Sequence, residues 1–443
     1  MPANPTVVVV GLGYVGSCLA ATLADRGLRV TAVDTDSRLI EEMGRHHCRF
    51  REEQLAEVLF RTMSAGALTV TTDYQAVTEA DVVVVTVGTP VTSDGVLADD
   101  QLRSACSALG KRLRAGQLVI FKSTVPPGAT RDLVLPLLEG SGLTAGVDFH
   151  LSFTPERLAE GTALNELRTF GVVVGGLTAK CAEVSAAFWR SALGVEVFVQ
   201  DSLEAAELVK LADNWWIDLN IALANELAKL CAPYGVDVLD VIDAANMIPK
   251  GKGKVNILLP SVGVGGSCLT KDPWMVWHAA RGHGIQIRTA LAGREVNAGM
   301  PGYAARVIMD ELAKLGKDLA GAKVAVLGLA YKNNTGDLRA TPTQPAIAAL
   351  TGAGAHVSAH DPLVDAAQAE ELFGFKPAPT VHEAVDGADC IAVLALHREF
   401  EDLDFSSLPV SHPCLVFDGR AYYPKEKICA LRELGFAYRG IGR

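Results

Sequence analysis

Hydrophobic runs in this chain come in two lengths, and each predicts a different element. The short runs sit near the start. Thr6–Val10 leads into the glycine turn Gly11–Gly16 and a helical stretch to about Gly27, and Arg29–Val33 is a second run ending at Asp34. Asp81–Val87 ends at Gly88-Thr89-Pro90, and Leu118–Phe121 ends at Lys122-Ser123-Thr124. Continuous rather than alternating apolar character marks strands covered on both faces. Such strands separated by helical stretches predict a doubly wound parallel sheet, with its ligand beyond the carboxyl ends of the strands. Residues 1–24 carry no charge, a pattern shared by membrane spans and signal sequences. With no basic n-region, and with Pro2 and Pro5 near the start, a buried strand and glycine turn explain them better.

From about Leu203 the pattern lengthens. Leu208, Leu211, Trp215, Leu219, Leu223, Leu227 and Leu230 recur at helical steps until Pro233 and Gly235 close the segment. The predicted helix has an apolar face wider than a surface helix needs, for packing in a core or between domains or subunits. Lys210 and Asn214 lie one turn apart on it. From about Gly321 the opening logic returns. Val324–Leu327 leads into Gly328-Leu329-Ala330, His356–Ala359 ends near Asp361, and Ala388-Asp389 opens a further run. The later glycines are missing and Lys332 stands near the place of the third, so this copy should hold something other than a dinucleotide. The fold class is therefore α/β. Two Rossmann-like doubly wound parallel-sheet domains (1–202 and 303–443) are joined by a central long-helix domain (203–302).

Composition narrows the partners. The 443 residues have room for roughly three compact units, and 49% hydrophobic with 21% charged is an ordinary globular balance. A net charge of −11 argues against a nucleic-acid binder. Nine cysteines show no C-x-x-C pair and no zinc spacing, so no metal is expected. Their odd number reads as free thiols in a reducing cytoplasm, with no membrane association.

Gly11-Leu12-Gly13-Tyr14-Val15-Gly16 matches G-x-G-x-x-G after a strand and before a helix, the setting in which a pyrophosphate approaches a helix N-terminus. Asp34, at the end of the next strand, can accept from ribose hydroxyls and would repel a 2′-phosphate, so NAD is favoured over NADP. Gly263–Asp272 encloses Cys268 among glycines with Lys271 and Asp272 close by, a setting in which thiolates form. From spacing alone Cys268 is either a reactive thiol or a buried inert one. Pro155 at a helix start would put Glu156 and Glu160 one turn apart on one face.

Taken together, Gly11–Gly16, Ser123-Thr124-Val125-Pro126, Thr154–Gly161, Glu207–Glu226, Gly265–Asp272 and Gly328–Arg339 resemble the UDP-glucose/GDP-mannose dehydrogenase family over nearly the whole chain. The resemblance implies oxidation of a sugar C6 alcohol to a carboxylate, with two NAD consumed per nucleotide-sugar. It makes Cys268 the covalent nucleophile and Lys210 and Asn214 the oxyanion partners. By the same resemblance, Glu156 and Asp272, with Thr124 positioning water, would serve hydrolysis of the thioester. Gly11, Gly13, Tyr14, Val15, Gly16, Asp34, Arg38, Thr89, Thr124 and Glu160 would hold NAD. Glu156, Arg157, Leu158, Lys210, Asn214, Gly265, Lys332 and Arg339 would hold the nucleotide-sugar. A homodimer through the long helix is implied as well.

The family loops that act on glucose usually read G-G-S-C-F-P-K-D, whereas Leu269 and Thr270 stand here, and Gly336 occupies a frequent aspartate position. Asp272-Pro273-Trp274 and Arg294–Asn297 with Met300-Pro301 look like members that oxidise N-acetylated sugars. Ser267-Cys268 and Lys271-Asp272 look like the glucose type and lie nearest the reacting carbon. The expected substrate is accordingly UDP- or dTDP-glucose, with a UDP-N-acetylhexosamine as the alternative. Two further readings are a two-electron hydroxyacid dehydrogenase, which would not need Cys268, and a non-catalytic nucleotide-binding regulator, which would lack the catalytic side chains.

Overall fold

The computed structural model describes Pro2, residues 4–92 and residues 94–443. They divide into two compact units, one running through Asp213 and including Trp274–Ile285, the other Asn214–Pro273 with Gln286–Arg443.

The first unit is built on eight strands: β1 (Thr6–Val10), β2 (Arg29–Val33), β3 (Leu68–Thr71), β4 (Val82–Val85), β5 (Leu118–Phe121), β6 (His150–Phe153), β7 (Val172–Gly176) and β8 (Val197–Gln200). Their order is β3-β2-β1-β4-β5-β6-β7-β8. Every pairing is parallel except β6 with β7, where Ser152 faces Gly176. That one junction departs from the all-parallel expectation, because the chain after β6 turns back through a short helix, Ala163–Thr169, rather than crossing over. The uninterrupted apolar runs are explained by their neighbours. Val7, Val9, Val82 and Val84 join the core on one face, while Val8, Val10, Val83 and Val85 join the core on the other. The strand order reverses between β1 and β4, which is where such sheets place their ligand. Helix α1 (Tyr14–Asp25) starts there.

The long helix α2 (Leu203–Cys231) is continuous, and the division between the units falls within it. Its leucines do not form one buried face. Leu211 is fully buried, whereas Leu208, Leu223 and Leu230 are exposed, so the three- and four-residue steps wander around the helix. Helix α3 (Asp272–Gly282) follows the cysteine loop, and α4 (Thr289–Lys314) carries Pro301 within it. Between α2 and α3 lies a small hairpin, β9 (Pro249–Lys250) with β10 (Gly253–Lys254).

The second unit holds a fully parallel sheet of β11 (Lys323–Leu327), β12 (His356–His360), β13 (Cys390–Val393), β14 (Leu415–Asp418) and β15 (Ala437–Gly440), in the order β12-β11-β13-β14-β15. Its inner strands repeat the two-faced burial, with Val324 and Val326 in one core and Ala325 and Leu327 in the other. No helix of the described residues is long and apolar enough to cross a membrane.

Candidate functional site

The turn between β1 and α1 is shaped by its glycines. Gly11 has φ +94°, and a Cβ on Gly16 would meet the Gly11 carbonyl at 1.8 Å, so the helix start sits hard against the strand end. A Cβ at Gly13, the helix N-cap, would meet nothing within 4 Å. No acidic residue occupies the first turn of α1 and no side chain caps it. Asp34 supports the same turn, accepting from Leu12 N (2.6 Å) through one oxygen and from Asp36 N (2.9 Å) through the other. Each oxygen keeps lone-pair capacity for a ribose. These residues fit a dinucleotide. Val15 is half-buried, Thr89 is buried beyond β4, and Arg38 is exposed beside Asp36, the N-cap of the helix Ser37–Gly44.

The Tyr14 hydroxyl donates to the Glu52 carboxylate, and Gly161 N donates to Glu52 Oε2 (2.7 Å). Burial, then Glu52, push the Tyr14 phenol up, which keeps it a proton donor. Glu52 was not singled out from the sequence; its loop has no motif to mark it.

Pro155 does not start a helix. Residues 154–159 are irregular and the helix begins at Ala163, so Glu156 and Glu160 do not share a helical face. The N–H groups needed for a helical turn are committed elsewhere: Leu158 N to Glu156 Oε1 (2.6 Å), Ala159 N to Glu166 Oε2 (2.6 Å) and Gly161 N to Glu52. Glu156 lies against a cation that sequence reading passed over. Lys122, only 5% exposed, donates to Pro155 O (3.2 Å), and its Nζ lies 3.1 Å from Glu156 Oε2 as a charge contact. Arg157 is exposed and pairs with Asp213 (2.8 Å), and Leu158 packs on the core. Thr124 and Glu160 are half-buried. Lys210 and Asn214 are both buried, at 6%.

In the second unit Cys268 is exposed, which separates it from the buried, inert class; most of the nine free cysteines are buried. Its carbonyl accepts from Lys271 N (3.1 Å) and Asp272 N (2.9 Å), so the thiol stands at the turn that opens α3. Asp272 is fully buried, with Lys271 Nζ (2.9 Å) on one oxygen and Asn214 Nδ2 (2.5 Å) on the other. Arg294 NH1 bonds both Leu269 O (3.1 Å), next to the cysteine, and Asp218 Oδ1 (2.7 Å). Asn297 reaches the same Asp218 oxygen (2.8 Å) and accepts from Asn225, which in turn caps Ser261 N. Burial pushes the Asp218 carboxyl up against the pull of Arg294.

The cysteine loop lies on the segment after β11. Gly266 N donates to Arg339 O (3.0 Å), and a Cβ on Gly265 would meet Tyr331 Cβ at 2.6 Å. Lys332 is half-buried and Arg339 exposed on that segment. A Cβ on Gly336 would meet the Leu363 carbonyl at 2.3 Å, so this backbone path excludes the aspartate common at that position. Among the described residues, no group of three or more His, Cys, Asp or Glu is placed to hold a metal ion.

A dinucleotide turn, an exposed cysteine in a glycine loop and a second α/β sheet define an NAD-dependent dehydrogenase with a separate nucleotide domain. The chain belongs to the UDP-glucose/GDP-mannose dehydrogenase family: the NAD binding domain matches residues 5–193, the central domain 204–299 and the UDP binding domain 325–425. NAD is the cofactor and a nucleotide-sugar the class of substrate. The chain is 33% identical to the UDP-N-acetyl-D-mannosamine dehydrogenase of Pyrococcus horikoshii over 438 residues, covering 99% of each. The solved UDP-D-ManNAc dehydrogenase structure from that organism superposes with a TM-score of 0.89 at 31% identity, covering 99% of both chains. The UDP-glucose 6-dehydrogenase of Haloferax volcanii is 32% identical over 420 residues, covering 93% of this chain and 96% of the relative.

Proposed function

We propose that the chain oxidises the C6 alcohol of a UDP-N-acetylhexosamine, of the N-acetylmannosamine type, to the uronate. Whole-length likeness to UDP-N-acetyl-D-mannosamine dehydrogenases carries this reading. It replaces glucose as the preferred sugar. The Lys271-Asp272 signal that favoured glucose is committed to an internal pair with Asn214, so it reports on chemistry common to both sugars rather than on C2. The Arg294–Asn297 segment, which looks like that of members acting on N-acetylated sugars, holds the cysteine loop through Leu269 O. Likeness to a UDP-glucose 6-dehydrogenase keeps glucose as the second reading.

When bound, NAD would supply the acceptor for the electron pairs removed from C6. The Cys268 thiolate adds to the C6 aldehyde to give a thiohemiacetal, whose oxidation leaves a thioester that water cleaves to the acid and free thiol. Lys210 and Asn214 steady the oxyanion; Glu156 and Asp272 move protons to and from the attacking water, which Thr124 orients. Lys332, Arg339, Gly265, Arg157 and Leu158 contribute to sugar-nucleotide binding, and Glu160 to NAD binding. The test is kcat/KM for UDP-N-acetylmannosamine, UDP-N-acetylglucosamine, UDP-glucose and dTDP-glucose in one buffer, with the product analysed for a carboxylate. A preference for either glucose nucleotide overturns the sugar assignment.

The chain also pairs with a second copy. Trp216, Leu223 and Leu230 recur every seventh residue on α2 and are all exposed, an apolar stripe that a partner helix would cover. Light scattering at micromolar concentration should return the mass of a dimer or larger.

A further inference from the structure

We infer that His397 is a positioning residue for nucleotide-sugar binding, pinning the loop that carries Lys332 and Arg339 to the carboxylate of Asp361. The inference rests on the reading that the UDP binding domain takes the nucleotide-sugar.

Both sheets use one device after their second strand. In the first unit Gly11 N bonds Val33 O, and Asp34 accepts from Leu12 N. In the second Gly328 N bonds His360 O, and Asp361 Oδ2 accepts from Leu329 N (2.7 Å) and Ala330 N (3.2 Å). The difference is what else reaches the carboxylate. Asp34 is partly exposed, whereas His397 Nε2 lies 2.9 Å from Asp361 Oδ2 with both side chains fully covered. The group that serves a ribose in a dinucleotide domain is here taken up by a histidine.

The other ring nitrogen carries the consequence. His397 Nδ1 accepts from Asn334 N (2.9 Å), which puts the neutral ring's proton on Nε2, facing Asp361. Asn334 sits at φ +58°, in the left-handed region that asparagine adopts more readily than most non-glycine residues. Its side chain accepts from Arg398 N (2.9 Å), and that of Asn333 from Leu396 N (3.1 Å) and the Tyr422 hydroxyl (2.6 Å). Residues 396–398 thus grip Asn333 and Asn334, beside Lys332, and the grip of His397 is anchored directly on a buried charge. The far end of the same loop donates no slack either, since Arg339 O is bonded to the cysteine loop through Gly266 N.

The two ring nitrogens can be tested apart by calorimetric titration of UDP into the full-length protein. In His397→Asn the amide oxygen stands near the Nδ1 position and can accept from Asn334 N. In His397→Gln the amide nitrogen stands near Nε2, keeping the donor to Asp361 while losing that acceptor. His397→Gln should raise the UDP Kd and the nucleotide-sugar KM by about tenfold or more, the loss of one buried hydrogen bond, with the KM for NAD unchanged. His397→Asn keeps the acceptor for Asn334 N but loses the anchor on Asp361, so it too should raise the UDP Kd, by less than His397→Gln does. Unchanged UDP affinity in folded His397→Gln, or equal losses in both variants, would overturn the inference. Wild-type protein that turns over nucleotide-sugar but has no affinity for UDP would overturn it as well, while leaving the catalytic reading in place. Absence of both would overturn the nucleotide-sugar reading and this inference together.

Discussion

Asn214 Nδ2 donates to Asp272 Oδ2 at 2.5 Å with both side chains buried, joining the middle of α2 to the start of α3 beside the cysteine turn. A buried carboxylate in that setting depends on its donors. Asn214→Ala should leave one Asp272 oxygen without a partner, costing about 1–3 kcal/mol of stability, and should lower kcat. Urea denaturation and steady-state rates check both. Unchanged kcat would remove Asn214 from the proposed oxyanion site.

Cys268→Ala should abolish formation of the uronate while leaving NAD affinity intact, because the thiol serves the covalent steps and takes no part in the glycine turn that holds the dinucleotide. Product analysis by mass spectrometry, with NAD binding followed by fluorescence, separates the two effects. Full acid production by the variant would refute the covalent route.

Asp34→Ala removes the acceptor for Leu12 N as well as the ribose partner. NAD affinity should fall by about tenfold or more, and the preference over NADP should shrink. Kinetics with both cofactors test this. A native preference for NADP would show the assignment of Asp34 to be wrong.

Lys122 and Glu156 are 6% and 12% exposed at their side chains, so neither charge is well hydrated. Lys122→Met should destabilise the first unit by about 3 kcal/mol by stranding Glu156, and should slow turnover. The Lys122→Met/Glu156→Gln double variant should recover much of the stability, read by denaturant midpoint, but not the rate.

Burial works against the Asp361 carboxylate, but the His397 ring and the backbone N–H donors outweigh it and hold its pKa below the ordinary aspartate value. A depressed folded-state pKa adds stability above the unfolded value, about 3.9, that is lost as pH falls through the folded value. The melting temperature of wild type should therefore drop on the acid side of pH 4 more steeply than that of Asp361→Asn, which should start lower at pH 7. Parallel curves would show that Asp361 carries no linked proton.

What was legible in the sequence was legible because it is local. The β1 turn and the start of α1 follow from glycines spaced within one turn, and the short apolar runs from strands buried on both faces. The repeat of that pattern at Val324–Leu327 foretold a second sheet, and the loss of its later glycines foretold a different ligand. Local preference misled where distant groups competed for the backbone. Pro155 suggests a helix, but Glu52 and Glu166 take the N–H groups such a helix would use.

By itself, then, the sequence determined the two α/β sheets, the long helix that separates them along the chain and the dinucleotide turn, since each is written in neighbouring residues. The tertiary structure alone decided which leucines of α2 are covered, that β7 runs against β6, that Lys122 faces Glu156, and that the Asp361 carboxylate is occupied by His397. Those outcomes depend on groups tens of residues apart along the chain. A residue's type sets what it can pair with, but only the folded chain sets which partner comes within reach.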